Sequence, residues 1–206
     1  MMKLHWSPRS PYVRKVMIFA YETGLADSIE RTRSLVAMTK PNAAVMRDNP
    51  LSKIPTLVLE DGHALFDSAV ICEYLDSLHG GTPLFPRSGP QRWDALRWHA
   101  LGNGLLDVLI LWRNEGLREP QQRQQALLDA FALKTDAALT LLASEVAGLE
   151  AAPFGIGHIA IACALGYLDF RFPEIDWHSE QPRLADWFGK IAQRPSMQKS
   201  EPIDDQ

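Results

Sequence analysis

The pattern of hydrophobic and polar residues changes once along the chain, near residue 80. Before that point, short apolar runs rich in β-forming residues alternate with stretches in which apolar residues recur every three or four positions. These patterns predict strands near 2–6, 28–33, 56–59 and 64–66, and helices near 11–23, 42–48 and 68–78. Beyond it only the helical spacing remains, and it predicts helices near 91–115, 120–149, 157–170 and 182–193. The sequence therefore predicts a mixed α/β part followed by an all-helical part.

A linker rich in glycine and proline separates the two parts. Its glycines and prolines, which interrupt helices and favour turns, are Gly80, Gly81, Pro83, Pro86 and Gly89. We therefore expect a first domain at 1–79, a linker at 80–89 and a second, all-α domain at 90–206, a division that suits a chain of this length. The β-α-β-α-β-β-α order predicted for the first domain matches the thioredoxin-like fold.

The composition limits the kinds of partner and the cellular compartment that we expect for this protein. Hydrophobic residues make up 46% and charged residues 22%, with a net charge of −4, and no basic face for nucleic acid stands out. No apolar run approaches the roughly 18 residues of a membrane span, and the N-terminus is too polar for a signal peptide. Cys72 and Cys163 lie far apart in apolar helical patterns, so we expect buried thiols and no disulfide. These features predict a cytoplasmic protein that binds neither nucleic acid nor membrane.

The segment 50–78 combines a turn signal with polar residues at a helix start. An Asp-Gly pair at 61–62 favours a tight turn between two short strands, and Asp67-Ser68 precedes the apolar positions of a helix. The N-terminus of a helix carries unpaired N–H groups and a partial positive charge, which suit a carboxylate. Taken separately, Pro55 could merely start a strand and Ser68 merely cap a helix. Together, with the turn between them, they favour a binding site.

A serine also stands at the start of the first predicted helix. Ser10-Pro11 has the form of an N-cap followed by proline at the first helical position, after the short loop that follows the first strand. A hydroxyl there can accept a hydrogen bond from the helix backbone and still donate its own proton. Ser10 could be a plain N-cap, and Ser7 is a rival donor. We prefer Ser10 because it adjoins the positive end of the helix.

With these two segments the chain resembles the glutathione transferase family. The Ser10-Pro11-Tyr12 sequence resembles its serine type, and the chain departs from the cysteine type because no cysteine stands at 7 or 10. The resemblance implies a thioredoxin-like α/β domain followed by an all-α domain, and a site for glutathione as co-substrate. In that family the peptide bond before Pro55 is cis, and the backbone of Ile54 pairs with the cysteinyl part of glutathione. Asp67 and Ser68 would hold the ammonium and the carboxylate of the γ-glutamyl end, and Ser10 would stabilise the thiolate.

The resemblance also implies a homodimer and two further glutathione contacts, Lys53 and Asn103. Asn103, or its neighbour Asp107, could reach the glutathione of the partner subunit. The second substrate, a small hydrophobic electrophile, would bind between the domains against the helix that begins near 91. Ordinary interdomain or dimer packing explains the residues that share one face of this helix equally well. The candidate wall residues are Trp98, Asn103, Leu106, Leu109, Ile110, Trp112 and Arg113. We expect no metal, because the histidines form no ligand cluster in the sequence.

One helix departs from the family pattern. The helix near 157 usually opens with a Ser/Thr-x-x-Asp capping box in that family, whereas this chain has Gly155 and His158 at the two places. We therefore expect the helix to lose both side-chain partners of the box.

Three functions stay open at this point. The first is a glutathione transferase that conjugates or transfers the thiolate to an electrophile, as in detoxification. The second is a glutathione-dependent isomerase or thiol–disulfide oxidoreductase on the same fold, and the lack of cysteine at 7 and 10 argues against a mixed disulfide with the protein. The third is a non-catalytic interaction protein, and the presence of Ser10, Asp67 and Ser68 argues against it.

Overall fold

The computed structural model of the protein describes residues 1–205, which form two compact units. The first unit combines residues 1–85 with the segment that begins at Pro195. Its strands are β1 (Met2–Trp6), β2 (Ile29–Arg33), β3 (Thr56–Val58) and β4 (Ala64–Leu65). Its helices are α1 (Pro11–Glu22), α2 (Ala43–Met46), α3 (Ser68–Asp76) and α9 (Pro195–Lys199).

The strands of the first unit form one mixed sheet in the order β2-β1-β3-β4. β1 pairs with β2 in parallel and with β3 antiparallel, and β3 pairs antiparallel with β4. A parallel pair needs a crossover connection, and α1 lies in the connection between β1 and β2. Leu4 of β1 and Leu57 of β3 lie opposite each other and are fully buried, together with Val16 of α1 and Ile71 of α3. The core of this unit therefore lies around the central strands.

The second unit, 86–194, is helical throughout its regular structure. Its helices are α4 (Pro90–Gly116), α5 (Gln125–Ala151), α6 (Ile156–Arg171), α7 (Trp177–Glu180) and α8 (Pro182–Ala192). The predicted start of the second long helix at Pro120 is wrong. Pro120 opens a separate 3-10 turn, and the extended backbone of Arg123 and Gln124 ends that turn before α5 begins.

The C-terminal segment belongs to the first unit, whereas the hydrophobic pattern predicts that residues 90–206 form the second domain. Met197 of α9 is buried, and its carbonyl oxygen accepts a hydrogen bond from the Arg14 guanidinium at 3.4 Å. The Ser196 hydroxyl donates to the Glu22 carboxylate. Both partners lie on α1, so contacts between residues far apart in the chain attach this segment.

Two helices of the second unit approach each other closely. α6 is buried from Ile156 to Leu168 and packs against α4. A Cβ atom built on Gly102 of α4 would lie 2.6 Å from the carbonyl carbon of Ala160, which is closer than two carbon atoms can pack. The absence of a side chain at Gly102 therefore permits the contact between the backbones of α4 and α6.

The start of α6 corrects the expectation that both capping partners are lost. Gly155 has no side chain, but Nδ1 of His158 accepts a hydrogen bond from the Gly155 N–H at 3.3 Å. Nε2 of His158 donates to the Leu149 carbonyl at 2.9 Å. A neutral imidazole with its proton on Nε2 satisfies both bonds. His158 thus replaces the acidic residue of the box and adds a bond to the end of α5.

This arrangement predicts a dependence of stability on pH. Burial lowers the pKa of His158 below its usual 6.5, and the positive charge of Arg194 acts in the same direction, while the bond to the Leu149 carbonyl opposes both. Since the unfolded chain binds the proton more readily, the free energy of unfolding should be highest above pH 6.5 and fall as the pH drops through that value toward the lowered pKa. Protonation would also place a proton on Nδ1, facing the Gly155 N–H.

The measurement is urea unfolding across this pH range for the protein and for His158→Phe, which fills a similar volume but cannot titrate. The variant should be less stable above pH 6.5, and its free energy of unfolding should fall less steeply below that pH. A variant of the exposed His178, His178→Gln, serves as the control for mutation of a surface histidine. An unchanged slope in His158→Phe would contradict the assignment.

Cys72 and Cys163 are buried, as predicted, and neither forms a disulfide. Among the described helices, none is long and apolar enough to cross a membrane. Within residues 1–205, no group of three or more His, Cys, Asp or Glu side chains has the arrangement of a metal site.

Candidate functional site

Ser10 lies where the chain enters α1. It is the N-cap residue, with an extended backbone, and its Oγ accepts a hydrogen bond from the Val13 N–H at 3.3 Å. Its own N–H donates to the Ser7 carbonyl at 3.2 Å, which closes the loop between β1 and α1. Because capping uses the oxygen as an acceptor, the hydroxyl proton of Ser10 can still be donated to an anion.

Ser7, the rival donor, is less accessible than Ser10. Ser7 is 6% exposed as a whole residue, and its Oγ accepts a long hydrogen bond of 3.4 Å from the Arg9 N–H. Ser10 is partly exposed at the helix terminus itself. The positive end of the helix dipole therefore acts on Ser10 more directly than on Ser7.

The loop before β3 holds the peptide group of Ile54. The Ile54–Pro55 bond is cis. The side chain of Asn49 donates to the Lys53 carbonyl at 3.2 Å and to the Thr56 hydroxyl at 3.0 Å, and that hydroxyl donates to the same carbonyl at 2.9 Å. This buried triangle fixes the backbone on both sides of Ile54, while the Lys53 side chain is exposed.

Asn49 was not among the residues singled out from the sequence. It precedes Pro50, and an Asn-Pro pair is a turn signal. That signal predicts a bend but not the partners of the amide, because the partners depend on how the following loop folds back.

Asp67 and Ser68 form the start of α3. Asp67 is the N-cap, and its carboxylate accepts a hydrogen bond from the Ala69 N–H at 2.8 Å. Ser68 is the first residue of the helix and is 3% exposed. Asp67 therefore has a structural role as well as an exposed charge, and Ser68 lies at the positive end of the helix.

Sheet register brings the three segments to one edge of the first unit. Thr56, the first residue of β3, pairs with His5 near the end of β1. Leu65, the last residue of β4, pairs with Leu57 near the start of β3. The end of β1, the start of β3 and the end of β4 therefore meet at the same edge of the sheet.

The chain leaves or enters this edge at each of the predicted site segments. Ser10 follows β1, Ile54-Pro55 precedes β3, and Asp67-Ser68 follows β4. The first unit thus combines a hydroxyl at one helix start, a fixed peptide group, and a serine with a carboxylate at another helix start. Such a set can bind an extended peptide through its backbone and both charges of an amino-acid terminus.

A buried histidine supports this edge and was also missed by the sequence analysis. Nδ1 of His5 lies 2.8 Å from the Ser34 hydroxyl, and Nε2 lies 2.7 Å from the Asp48 carboxylate. His5 therefore links β1 to the segment after β2 and to the residue before Asn49. No local pattern signals this contact, because its partners lie 29 and 43 residues away.

Asn103 lies in the second unit, on α4, where its amide nitrogen is 3.1 Å from Nε2 of His99. Three of the wall residues suggested with it are buried in the structure, namely Trp98, Leu106 and Leu109. They lie on a helix packed against α5 and α6. For these three residues the expectation of an open substrate wall is wrong, and the alternative of ordinary packing applies.

Comparison with known proteins identifies the family. The model described as glutathione S-transferase, N-terminal domain, matches residues 9–78. The chain is 31% identical over 205 residues to the uncharacterized GST-like protein YibF of Escherichia coli K12, with 98% of each chain covered. The chain belongs to the glutathione S-transferase family.

Solved structures of glutathione S-transferase family members agree with this assignment. A member from Pseudomonas fluorescens Pf-5, with bound glutathione, is 44% identical, with a TM-score of 0.96 over 98% of this chain and all of that one. A glutathione S-transferase from Methylobacillus flagellatus KT, with glutathione bound, is 32% identical, with a TM-score of 0.89 over the same shares. The predicted fold, a thioredoxin-like α/β domain followed by an all-α domain, is confirmed.

Proposed function

We propose that this family member is an enzyme that transfers the thiolate of glutathione to a small hydrophobic electrophile. The observation that carries the proposal is the position of the Ser10 hydroxyl at the N-terminus of α1, at the sheet edge shared with Ile54-Pro55 and Asp67-Ser68. Binding of glutathione by the related Pseudomonas and Methylobacillus proteins supports it.

In this proposal the cysteinyl and γ-glutamyl parts of glutathione each have matching groups. The backbone of Ile54 pairs with the cysteinyl residue, and the Lys53 side chain contributes a positive charge beside it. The Ser68 hydroxyl and N–H bind the γ-glutamyl carboxylate at the positive end of α3, and Asp67 binds the ammonium. The protein acts as a homodimer, in which Asn103 contributes to the glutathione of the partner subunit.

The interactions assigned to Ser10 and its helix are strong enough to ionise the thiol of glutathione at neutral pH. A free thiol has a pKa near 8.5, and lowering it by about two units requires about 2.7 kcal/mol of differential stabilisation of the thiolate. One hydrogen bond to an ion contributes roughly 1.5–3 kcal/mol, and the helix N-terminus adds roughly 0.3–1 kcal/mol. Together they make thiolate the major form at neutral pH.

The first test is calorimetric titration with reduced glutathione. We expect a dissociation constant between about 1 μM and 1 mM, and much weaker binding of cysteinylglycine, which lacks the γ-glutamyl end. A panel of electrophiles, with a disulfide substrate and an isomerisation substrate as comparisons, then tests the reaction class. The absence of heat up to about 10 mM glutathione would overturn the proposed function.

A variant at Asp67 separates binding from chemistry. Asp67→Asn keeps an oxygen that can cap α3 but removes the charge assigned to the ammonium. Because the ammonium lies far from the sulfur, the contact is similar in the ground and transition states. We expect KM for glutathione to rise about two- to fivefold, as for an exposed ion pair, with kcat nearly unchanged.

Steady-state kinetics at varied glutathione concentration give both constants. The control is Asp61→Asn, which removes an exposed charge in the β3–β4 turn of the same unit. A fall in kcat at constant KM in Asp67→Asn would contradict the binding role.

A further inference from the structure

A pocket of about 160 Å³ lies in the first unit, and the proposed chemistry does not use it. Its walls come from α1, the adjoining strand residues Trp6 and Arg31, and the C-terminal segment from Lys199 to Ile203. Ser7 lines it, whereas Ser10, Ile54 and Asp67 do not. The pocket is thus separate from the residues assigned to glutathione, although it reaches the same loop.

The pocket has the size of a single aromatic ring. An apolar cavity of about 150 Å³ in a protein core is known to hold benzene. The apolar part of the lining consists of Val13, Met17, Ile203 and the rings of Trp6 and Tyr21. These side chains would contact a flat ring in the pocket, which is partly open to solvent.

The charges around the pocket are predominantly positive. Arg14, Arg31 and Lys199 line it, and Glu201 is the only acidic residue among its described lining residues. The Arg31 guanidinium carbon lies 5.4 Å from the centre of the Trp6 ring, and Nζ of Lys199 lies 5.5 Å from the centre of the Tyr21 ring. These contacts hold both cations against aromatic rings of the wall, where an anion in the pocket would meet them.

We propose that this pocket binds a small aromatic carboxylate of the size of benzoate. The ring lies against Val13, Met17 and Ile203, and the carboxylate interacts with Arg31 and Lys199. A neutral molecule of the same shape would gain the apolar contacts but not the ionic ones. The carboxylate therefore determines the ligand class.

The pocket depends on the C-terminal segment being held in place. The Asp205 carboxylate lies 2.7 Å from the Arg33 guanidinium and 3.3 Å from Nε of Arg9. These ion pairs anchor the segment just beyond Ile203 to the end of β2 and to the loop before α1. A variant of Asp205 would loosen one wall of the pocket without removing any of its cations.

The test is titration of the isotope-labelled protein with benzoate, followed by backbone amide shifts without glutathione. We expect the shifting amides to include Ser7, Arg31 and Ser200, with a dissociation constant of about 1 mM. Benzamide should bind at least about fivefold more weakly, because it lacks the charge. Addition of S-methylglutathione at saturation should leave the benzoate constant unchanged within about twofold.

Substitution of the cationic lining residues tests which of them interact with the carboxylate. Arg31→Gln and Lys199→Gln should each weaken benzoate binding by about three- to fivefold, with little effect on benzamide. Lys3→Gln is the matched control, because it removes one exposed positive charge from the same sheet outside the pocket. Asp205→Asn should weaken benzoate and benzamide alike.

Three results would overturn the proposal. One is equal affinity for benzoate and benzamide. Another is a set of shifts centred on Ile54 and Asp67, with loss of benzoate on addition of S-methylglutathione, which would place the ligand in the glutathione site. The third is the absence of any shift up to about 20 mM benzoate. None of these outcomes depends on whether the protein catalyses glutathione transfer.

Discussion

Replacing Ser10 with alanine is expected to slow turnover by roughly ten- to a hundredfold at neutral pH. The substitution removes the hydroxyl proposed to donate to the sulfur and leaves the Ile54, Asp67 and Ser68 contacts intact. Glutathione affinity should therefore change little, while the pKa of the bound thiol rises toward the free value near 8.5. Part of the lost rate should return in alkali, where the thiol ionises without help.

The decisive measurement is the ultraviolet absorbance of the thiolate in the bound complex as a function of pH. Ser10→Thr is the conservative variant: it keeps a hydroxyl that can both cap α1 and donate, so it should recover much of the rate. Ser7→Ala should have the smaller effect, because Ser7 is buried and lies before the helix terminus.

The N-cap role of Ser10 requires its own control. Loss of an N-cap serine costs about 0.5–2 kcal/mol of stability, so unfolding of Ser10→Ala must be measured beside its kinetics. If Ser7→Ala raises the thiol pKa and Ser10→Ala does not, the two assignments are reversed. If neither variant moves the pKa, the proposed role of a serine hydroxyl is wrong.

Gly102→Ala is expected to destabilise the second unit by about 1–3 kcal/mol, as overpacking does in a tightly packed core. The new methyl group would lie 2.6 Å from the Ala160 carbonyl carbon and 2.8 Å from its oxygen. Both are backbone atoms of a buried helix, so they cannot rotate away as a side chain would. α4 and α6 must separate along their shared face.

Gly104 on the same helix provides a matched control. A Cβ atom there meets nothing within 4 Å, so Gly104→Ala should gain up to about 1 kcal/mol from helix propensity alone. Urea unfolding of both variants gives the comparison, and the two substitutions should have opposite signs. Equal effects of the two would show that backbone entropy, and not the α4–α6 contact, determines the outcome at position 102.

The sequence predicted the elements around the candidate site well, because their signals are local. Ser10-Pro11 is an N-cap followed by proline, and the structure has α1 beginning at Pro11. The Asp-Gly turn at 61–62 separates β3 from β4, and α3 begins at Ser68, as the apolar spacing after it predicts. Caps, turns and helical periodicity act within a few residues, so one sequence is enough to find them.

Prediction failed where contacts outside an element decide its role, or where the element is too short to show a pattern. His158 serves as a capping acceptor because Leu149 fixes its other nitrogen, and no capping rule based on residue type includes histidine at that position. The helical spacing that includes Leu106 is the same for a residue that lines a cleft and for one that lies in a core. The packing of α4 in the structure shows that Leu106 lies in the core. The helix starting at Pro195 is too short to show periodicity.

Patterns along the chain predicted the strands and helices up to residue 78, the four longer helices after it, the change of architecture near residue 80, and the serine and carboxylate at the helix starts. They did not predict the short helices α7 and α9. The predicted features follow from dihedral preferences, caps and hydrophobic spacing, which depend on residues that are close together along the chain. The folded chain alone shows that His5 links Ser34 and Asp48, that Asn49 holds the loop before Pro55, and that the C-terminal segment joins the first unit. The contacts of His5 and of the C-terminal segment join residues far apart in the chain. Those of Asn49 depend on how the loop after it folds back. In both cases packing and hydrogen-bond geometry select the partners.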